Sequence, residues 1–338
     1  MGLAARGTAQ DGAEGNAADA WRKCTPLLHE KSDRNPDGLL DGEAFSDVWG
    51  IVDRPNLSDE QVALAQLRLK QLEPAMALVR QAAAQQRCDF QLDRSKGFEL
   101  ELPQLSTMRL ATHLLALQGN VRRFEGDMLG FADAHAEMVR IAMQPAQERM
   151  LITALVGQAI GTVSVMGIRQ AISDGDVSAS QAAQLLDGLK PLQGEDPFHF
   201  NEAPMREYDA LHATLQSYAR QDKSVADLFA MVGDPTRAEA MRNMKAADLL
   251  AGLPQARGAF ERMCDAMREK DPAKAKDMLS KAVASVESLP PPANALAQLL
   301  PALERVMETR ARCGAELADL QRTLTQIRDD PAAQSRHT

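Results

Sequence analysis

Aromatic residues are scarce in this chain: nine Phe, two Tyr and two Trp, 4% of 338 residues. Strands favour aromatic and β-branched side chains, so the shortage weighs against a sheet protein. Cysteine is scarcer, and Cys24, Cys88, Cys264 and Cys313 lie too far apart for a disulfide framework or a cysteine-rich zinc cluster. Basic charge is in deficit as well. With 38 Lys and Arg against 47 Asp and Glu, the net charge of −9 removes the main attraction toward nucleic acid or anionic membrane. No Gly-rich run precedes Lys-Ser/Thr, and no GxGxxG, CxxC, HExxH or GxSxG occurs. Nothing in these patterns asks for a cofactor or a metal, and no catalytic residue is indicated.

Long apolar runs are also few. The one of membrane length, Leu151 to Ile172, carries Gln158 and Arg169 and has no aromatic belt. Its Gly157-xxx-Gly161 spacing permits close helix contact without implying lipid, so we expect a central helix buried on most sides. The N-terminus has no apolar stretch of signal-peptide length, which makes the cytoplasm the expected compartment.

What is present is a helix former's alphabet of Ala, Leu, Gln, Arg, Glu and Met. The length fits about two domains or one extended array. Residues 1–15, small, polar and Gly-rich, are expected to be disordered, as are 331–338. Helices are predicted near 16–30 and 43–52. A long one opens at Ser58, whose spacing to Gln61 suits a capping box, and Pro74 should kink it. Residues 88–104 lack a helical period and read as an extended loop. Two amphipathic helices then meet at Glu125-Gly126-Asp127, the pattern of an antiparallel hairpin. The apolar helix and a shorter one to about Leu189 follow.

The segment 191–204, PLQGEDPFHFNEAP, holds three prolines and no period, and marks a boundary or a functional loop between an N-terminal half, 16–190, and a C-terminal half, 205–330. Beyond it, helices are predicted near 205–221, 225–232, 235–251, 254–270 and 272–288. The last helix shows the cleanest period: Leu296, Leu299, Leu303, Val306, Arg310, Cys313, Leu317, Leu320, Leu324 and Ile327 hold heptad spacing. Its e and g positions lack complementary charges, which favours packing on the chain's own helices over an intermolecular coiled coil.

Asp33-Arg34-Asn35-Pro36-Asp37-Gly38-Leu39-Leu40-Asp41 resembles the start of a calcium loop, but position 12 is Ala44, where a bidentate carboxylate is needed. A solvated Asx-Gly turn accounts for the same residues. His113 and His135 sit on or beside apolar stripes, where a core or groove histidine is the simpler reading than a general base. His199, between Phe198 and Phe200, could face a ligand or serve to pin its loop.

The run Cys88-Asp89-Phe90, Asp93, Gly97, Leu102-Pro103, Leu105, Arg109, Leu114-Leu115-Ala116-Leu117 and Gly126-Asp127 resembles a segment of uncharacterised bacterial all-helical proteins with tetratricopeptide-like hairpins. The hairpin from Leu110 to Met143 is similar to one degenerate tetratricopeptide unit. Gly119 and Gly126-Asp127 occupy its small and turn positions, Phe131 stands where a small residue is usual, and His135 replaces an aromatic. No second unit follows at a period of about 34 residues. The resemblance, over about 55 residues, implies an all-α fold of irregular α-solenoid type, a helical-hairpin array, and carries no activity with it. Within it, Asp89, Asp93 and Arg109 are candidates for a polar cluster locking the loop onto the hairpin.

Three functions follow as expectations. The first is a non-enzymatic scaffold or adaptor offering a concave acidic surface to a protein or peptide. The others are a self-associating protein using the C-terminal heptad helix, and a ligand binder or enzyme with a pocket near 191–204.

Overall fold

The computed structural model describes residues 15–52, 54, 56–231, 235–300 and 303–330. The segments expected to be disordered, 1–15 and 331–338, lie outside them apart from Gly15. Fourteen α-helices and no β-strand occur among the described residues, so the fold is all-α. They are α1 Ala17–Leu28, α2 Gly42–Ile51, α3 Asp59–Gln71, α4 Glu73–Ala83, α5 Pro103–Phe124, α6 Met128–Ala146, α7 Leu151–Ser173, α8 Ala179–Gly188, α9 Ala203–Arg220, α10 Val225–Met231, α11 Pro235–Ala240, α12 Ala246–Arg268, α13 Pro272–Glu287 and α14 Leu303–Asp329. Short 3-10 turns at Arg94–Glu99, Lys190–Gln193 and Ala293–Leu299 join them.

Local chemistry sets many of these boundaries. Asn16 caps α1, Asp41 caps α2, Asp127 caps α6 and Asp271 caps α13, each accepting from an otherwise orphaned amide. Ser58 and Gln61 form the expected capping box. Pro74 does more than kink its helix: α3 ends at Gln71, Leu72 bends the backbone, and α4 restarts with the proline in its first turn. The calcium-like loop is used structurally. The Asn35 amide donates to the carbonyls of Pro26, His29 and Glu30, and Asp41 caps α2.

Three helix assignments differ from the expected ones. The helix expected over 235–251 ends at Ala240, and α12 opens at Ala246 after a turn. Residues 246–268 form a single helix through Pro254. A mid-helix proline costs ~3 kcal/mol, but Leu249, Leu253, Phe260, Met263 and Met267 are all at least 98% buried along α12. At ~1.5–3 kcal/mol per large apolar side chain, that burial outweighs the break. The heptad helix begins at Leu303 rather than near Leu296: Ala293–Leu299 is a 3-10 turn and Leu300 is extended. Pro301 explains this, since it disfavours helical geometry in the residue before it and donates no amide.

The first core is built by α1 to α7. At its centre the Trp21 indole N–H donates to Gln144 Oε1 at 2.6 Å, and the Gln144 amide donates to the Ala82 carbonyl at 2.6 Å. This buried network joins α1, α6 and α4. A second core groups α9 to α13 with Leu296 and Leu303. The two sides of the 191–204 segment interlock: α9 packs on the Arg94–Glu99 turn, and α14 lies against α7 and α8. Gly97 makes the first contact possible, with positive φ and no room for a Cβ beside the Ala210 carbonyl and Thr214.

Helix α7 is, among the described residues, the one helix long and apolar enough to cross a membrane by length and composition, and half of its most apolar window is buried inside the protein. Arg169 is held there by the Glu316 carbonyl and the Asp319 carboxylate, both at 2.8 Å.

Candidate functional site

A cleft of about 740 Å³ opens where α7, the 191–204 segment, the α12–α13 junction and α14 converge. From α7, Gln158, Gly161, Thr162 and Val165 line it, positions spaced three, four and seven apart on one helical face. The loop contributes Phe198, Phe200 and Asn201, α12 contributes Met267, and α14 contributes Met307, Arg310, Cys313 and Leu317. The expected GxxxG pair finds its use here. A Cβ on Gly157 would lie 2.5 Å from the Ala142 carbonyl and 3.0 Å from the Phe198 ring, and one on Gly161 would lie 3.4 Å from that ring.

Arg310 is the organising residue. It donates from Nη1 to Asn201 Oδ1 at 3.0 Å and to the Met267 carbonyl at 2.8 Å, and from Nη2 to the Glu195 carbonyl at 3.3 Å. Its guanidinium pairs with Asp196 at 3.3 Å and stands 5.6 Å over the Phe200 ring. Asp196 in turn accepts the amides of Phe200 and Asn201. Arg310 therefore ties loop, α12 and α14 together and, with Asp196, holds Phe200 in place. The sequence contained the signal, a charged residue inside an apolar heptad stripe. The stripe is buried at Leu303, Val306, Leu320, Leu324 and Ile327, and opens onto the cleft at Arg310, Cys313 and Leu317.

The residues singled out from sequence fall elsewhere. Asp89 binds Arg87 and the Gln91 amide, Asp93 binds Ser95, and Arg109 is exposed with no ion pair among the described residues, so these three form no cluster. The Arg87 guanidinium and the Gln91 amide hold the Asp89 carboxyl below its usual range, and the Ser95 hydroxyl and amide do the same for Asp93. The loop is locked instead by Asn16, which exchanges hydrogen bonds with the Asp89 backbone, by Gln147 on the Cys88 amide, and by Arg94 on Glu148 at 2.7 Å.

His113 stacks edge-on against Trp49 with centroids 5.7 Å apart. His135 is buried between Gly119 of α5 and Gly167 of α7, 4.3 Å from the Phe131 ring and 3.2 Å from the Ser164 hydroxyl. Burial pushes its imidazole down to about 3, so it is neutral packing at physiological pH. His199 takes a positive φ in the cleft's loop and closes the turn onto the Asp196 carbonyl, while its neighbours Phe198 and Phe200 face the cleft. Among the described residues, no group of three or more His, Cys, Asp or Glu is placed to hold a metal ion.

Compared with protein-family models, curated proteins and solved structures, the chain matches none. Among the described residues the protein is all-α, with an apolar cleft built across its central sequence break.

Proposed function

We propose that this chain is a non-enzymatic binding scaffold whose cleft takes up an apolar ligand. We read its successive hairpins as an irregular solenoid-like array, with α5 and α6 as a tetratricopeptide-like unit, serving to set α7 and α14 apart around that site. The observation that carries the reading is the cleft itself. Its volume lies inside the ~300–1,000 Å³ of small-molecule sites, and its walls are apolar with a few polar groups. Most charged groups there are engaged in ion pairs, Arg310 with Asp196 and Lys270 with Glu195 on the loop among them, which supports binding over chemistry.

Gly314 supplies a direct test. It sits inside α14 on the cleft wall, and a Cβ added there would meet nothing within 4 Å. Gly314→Phe fills the cleft, and replacing a helical glycine offsets any cost by a few tenths of a kcal/mol. Wild-type protein should bind Nile red, a neutral solvatochromic dye, and the variant should lose that binding at unchanged melting temperature. Equal binding by both proteins defeats the proposal.

A protein partner is a second reading, favoured by large apolar side chains left on the surface. Phe124 and Leu129, at the α5–α6 turn, are 53% and 62% exposed, and Trp49 on α2 is 41% exposed. A partner that binds the wild-type chain and is lost with Phe124→Ser and Leu129→Ser would place the adaptor surface there. Neither nucleic acid nor membrane belongs to the proposal: the acidic balance speaks against both, and the engagement of Arg169 with α14 suits a protein at work in the cytoplasm. Self-association through α14 is not favoured, because its apolar ends are already used within the chain.

A further inference from the structure

We propose that the occupant of the cleft is a monocation carrying an apolar chain, with its charged head at Glu308 and its chain running along α14 toward Leu317. This rests on the reading of the cleft as a ligand site and specifies the ligand's charge and orientation.

The charge inventory of the cleft argues for the cation. Lys270 lies 3.2 Å from Glu195, Lys276 lies 3.6 Å from Glu304, and Arg310 is engaged by Asp196. Arg268 pairs with Asp265, and Glu269 with Lys274. Of the charged side chains on the lining, Glu308 is the one left without an ion pair or hydrogen bond among the described residues. Arg305 and Arg312, on the same helix, are exposed and do not pair with it. One negative charge is thus unbalanced. The N-terminus of α13, which borders the cleft at Pro272 and Ala273 and would otherwise draw an anion, is already capped by the Asp271 carboxylate. An anionic head could bind only by taking a lysine from its carboxylate, which would leave a second negative charge unmatched. A cationic head beside Glu308 balances the site.

The wall argues for the orientation. Glu304, Met307, Glu308, Ala311, Gly314 and Leu317 recur at steps of three and four, so one face of α14 is turned to the cleft. Its acidic end lies beside α13, where Glu304 meets Lys276. Beyond Glu308 the face continues as Ala311, Gly314 and Leu317, without further charge. The rise from Glu308 to Leu317 is about 14 Å, over which a chain lies between α14 and the Phe198 ring. Gly314 leaves that path open, since even a Cβ there would meet nothing within 4 Å. Leu192 and Val165 line the far end.

Competition against Nile red on the full chain, at pH 8 and low salt, tests this with decyltrimethylammonium, 1-decanol and decanoate, each below its micelle concentration. Wild-type protein should bind the ammonium about tenfold more tightly than decanoate. Because Glu308 is exposed, Glu308→Gln should weaken the ammonium about fivefold, the upper range for a surface ion pair, while leaving decanol unchanged and tightening decanoate. Glu60→Gln removes the same charge from an exposed position on α3 that does not line the cleft, and should alter none of the three. Gly314→Phe should weaken all three, and an ammonium probe indifferent to it would overturn the orientation. Circular dichroism and melting temperature verify that the variants are folded. If decanoate binds as tightly as the ammonium, or Glu308→Gln moves all three probes alike, the cation at Glu308 is overturned while the cleft stands as a site. Equal effects of Glu308→Gln and Glu60→Gln would trace the preference to net charge and overturn it too. Failure of the dye and all three probes to bind overturns the underlying reading.

Discussion

Replacing Arg310 with methionine removes the guanidinium and keeps most of the apolar stem, so the loss should report on the clamp. Three hydrogen bonds from a charged donor disappear, to Asn201, to the Met267 carbonyl and to the Glu195 carbonyl, together with the ion pair to Asp196. An orphaned buried carbonyl costs ~1–3 kcal/mol. Stripping a buried carboxylate of its partner costs ~3–5 kcal/mol. Asp196 stands at the low end of that range, because its side chain is 14% exposed and still accepts two loop amides. About 3 kcal/mol is therefore expected for Arg310→Met, a large share of a typical ~5–15 kcal/mol total. Asp196→Asn keeps one acceptor oxygen and should cost ~1–2 kcal/mol. The double variant should fall close to Arg310→Met alone, a coupling of ~1–2 kcal/mol. Urea unfolding followed by circular dichroism gives all three values from shifts in midpoint at constant slope. Strict additivity, or a loss below ~1 kcal/mol for Arg310→Met, would refute the clamp. Dye affinity should weaken in the same order as stability, because the clamp holds Phe200 on the cleft wall.

Other consequences follow from buried groups. Gln144→Leu orphans the Trp21 indole N–H and removes one of the two hydrogen bonds to the Ala82 carbonyl, which still accepts the Gln85 amide, so ~1–3 kcal/mol should be lost in urea unfolding; a loss under ~1 kcal/mol would show that the network does not bridge the helices. Burial pushes the Cys24 and Cys88 thiols up to about 12, so neither should react with a disulfide reagent at pH 8 until the protein unfolds; fast modification of either in the native state contradicts their placement. Glu207, half-buried, accepts the Leu151 amide at the start of α7 at 3.1 Å, and desolvation raises its carboxyl. A raised folded value means its contribution is present at low pH and is lost as pH rises through that value. Glu207→Gln should therefore gain melting temperature relative to wild type between pH 4 and pH 8, and a difference independent of pH would contradict this.

Periodicity and capping chemistry act over four residues or fewer, and they carry much of the architecture. The Ser58–Gln61 box, the hairpin at Gly126, the start of α13 at Pro272 and the all-helical class are readable for that reason. Pro74 is legible as a disturbance in the right place, although it splits its helix instead of bending it. Pro254 and Leu296 show where local reasoning ends. At 254 the burial of a helix face against α9 and α13 overrides a local breaker, and at 296 an apolar spacing continues through residues that a following proline keeps out of the helix. The candidate site is less legible still. Asp89, Asp93 and Arg109 are near in sequence, but each finds a partner or solvent of its own. Arg310 is visible as an oddity in a stripe without any indication of what it would hold.

The sequence by itself determined that this protein is helical, acidic and built on Leu, Ala and Met, because each of those properties is composition or a short-range pattern. Only the tertiary structure decided that there is a cleft. Gln158, Phe198, Met267 and Arg310 are spread over 153 positions of the chain, and no local rule relates them. They meet because α14 folds back onto α7 and α8, burying its two apolar ends and leaving the middle of its stripe to face Phe198, Phe200 and open space.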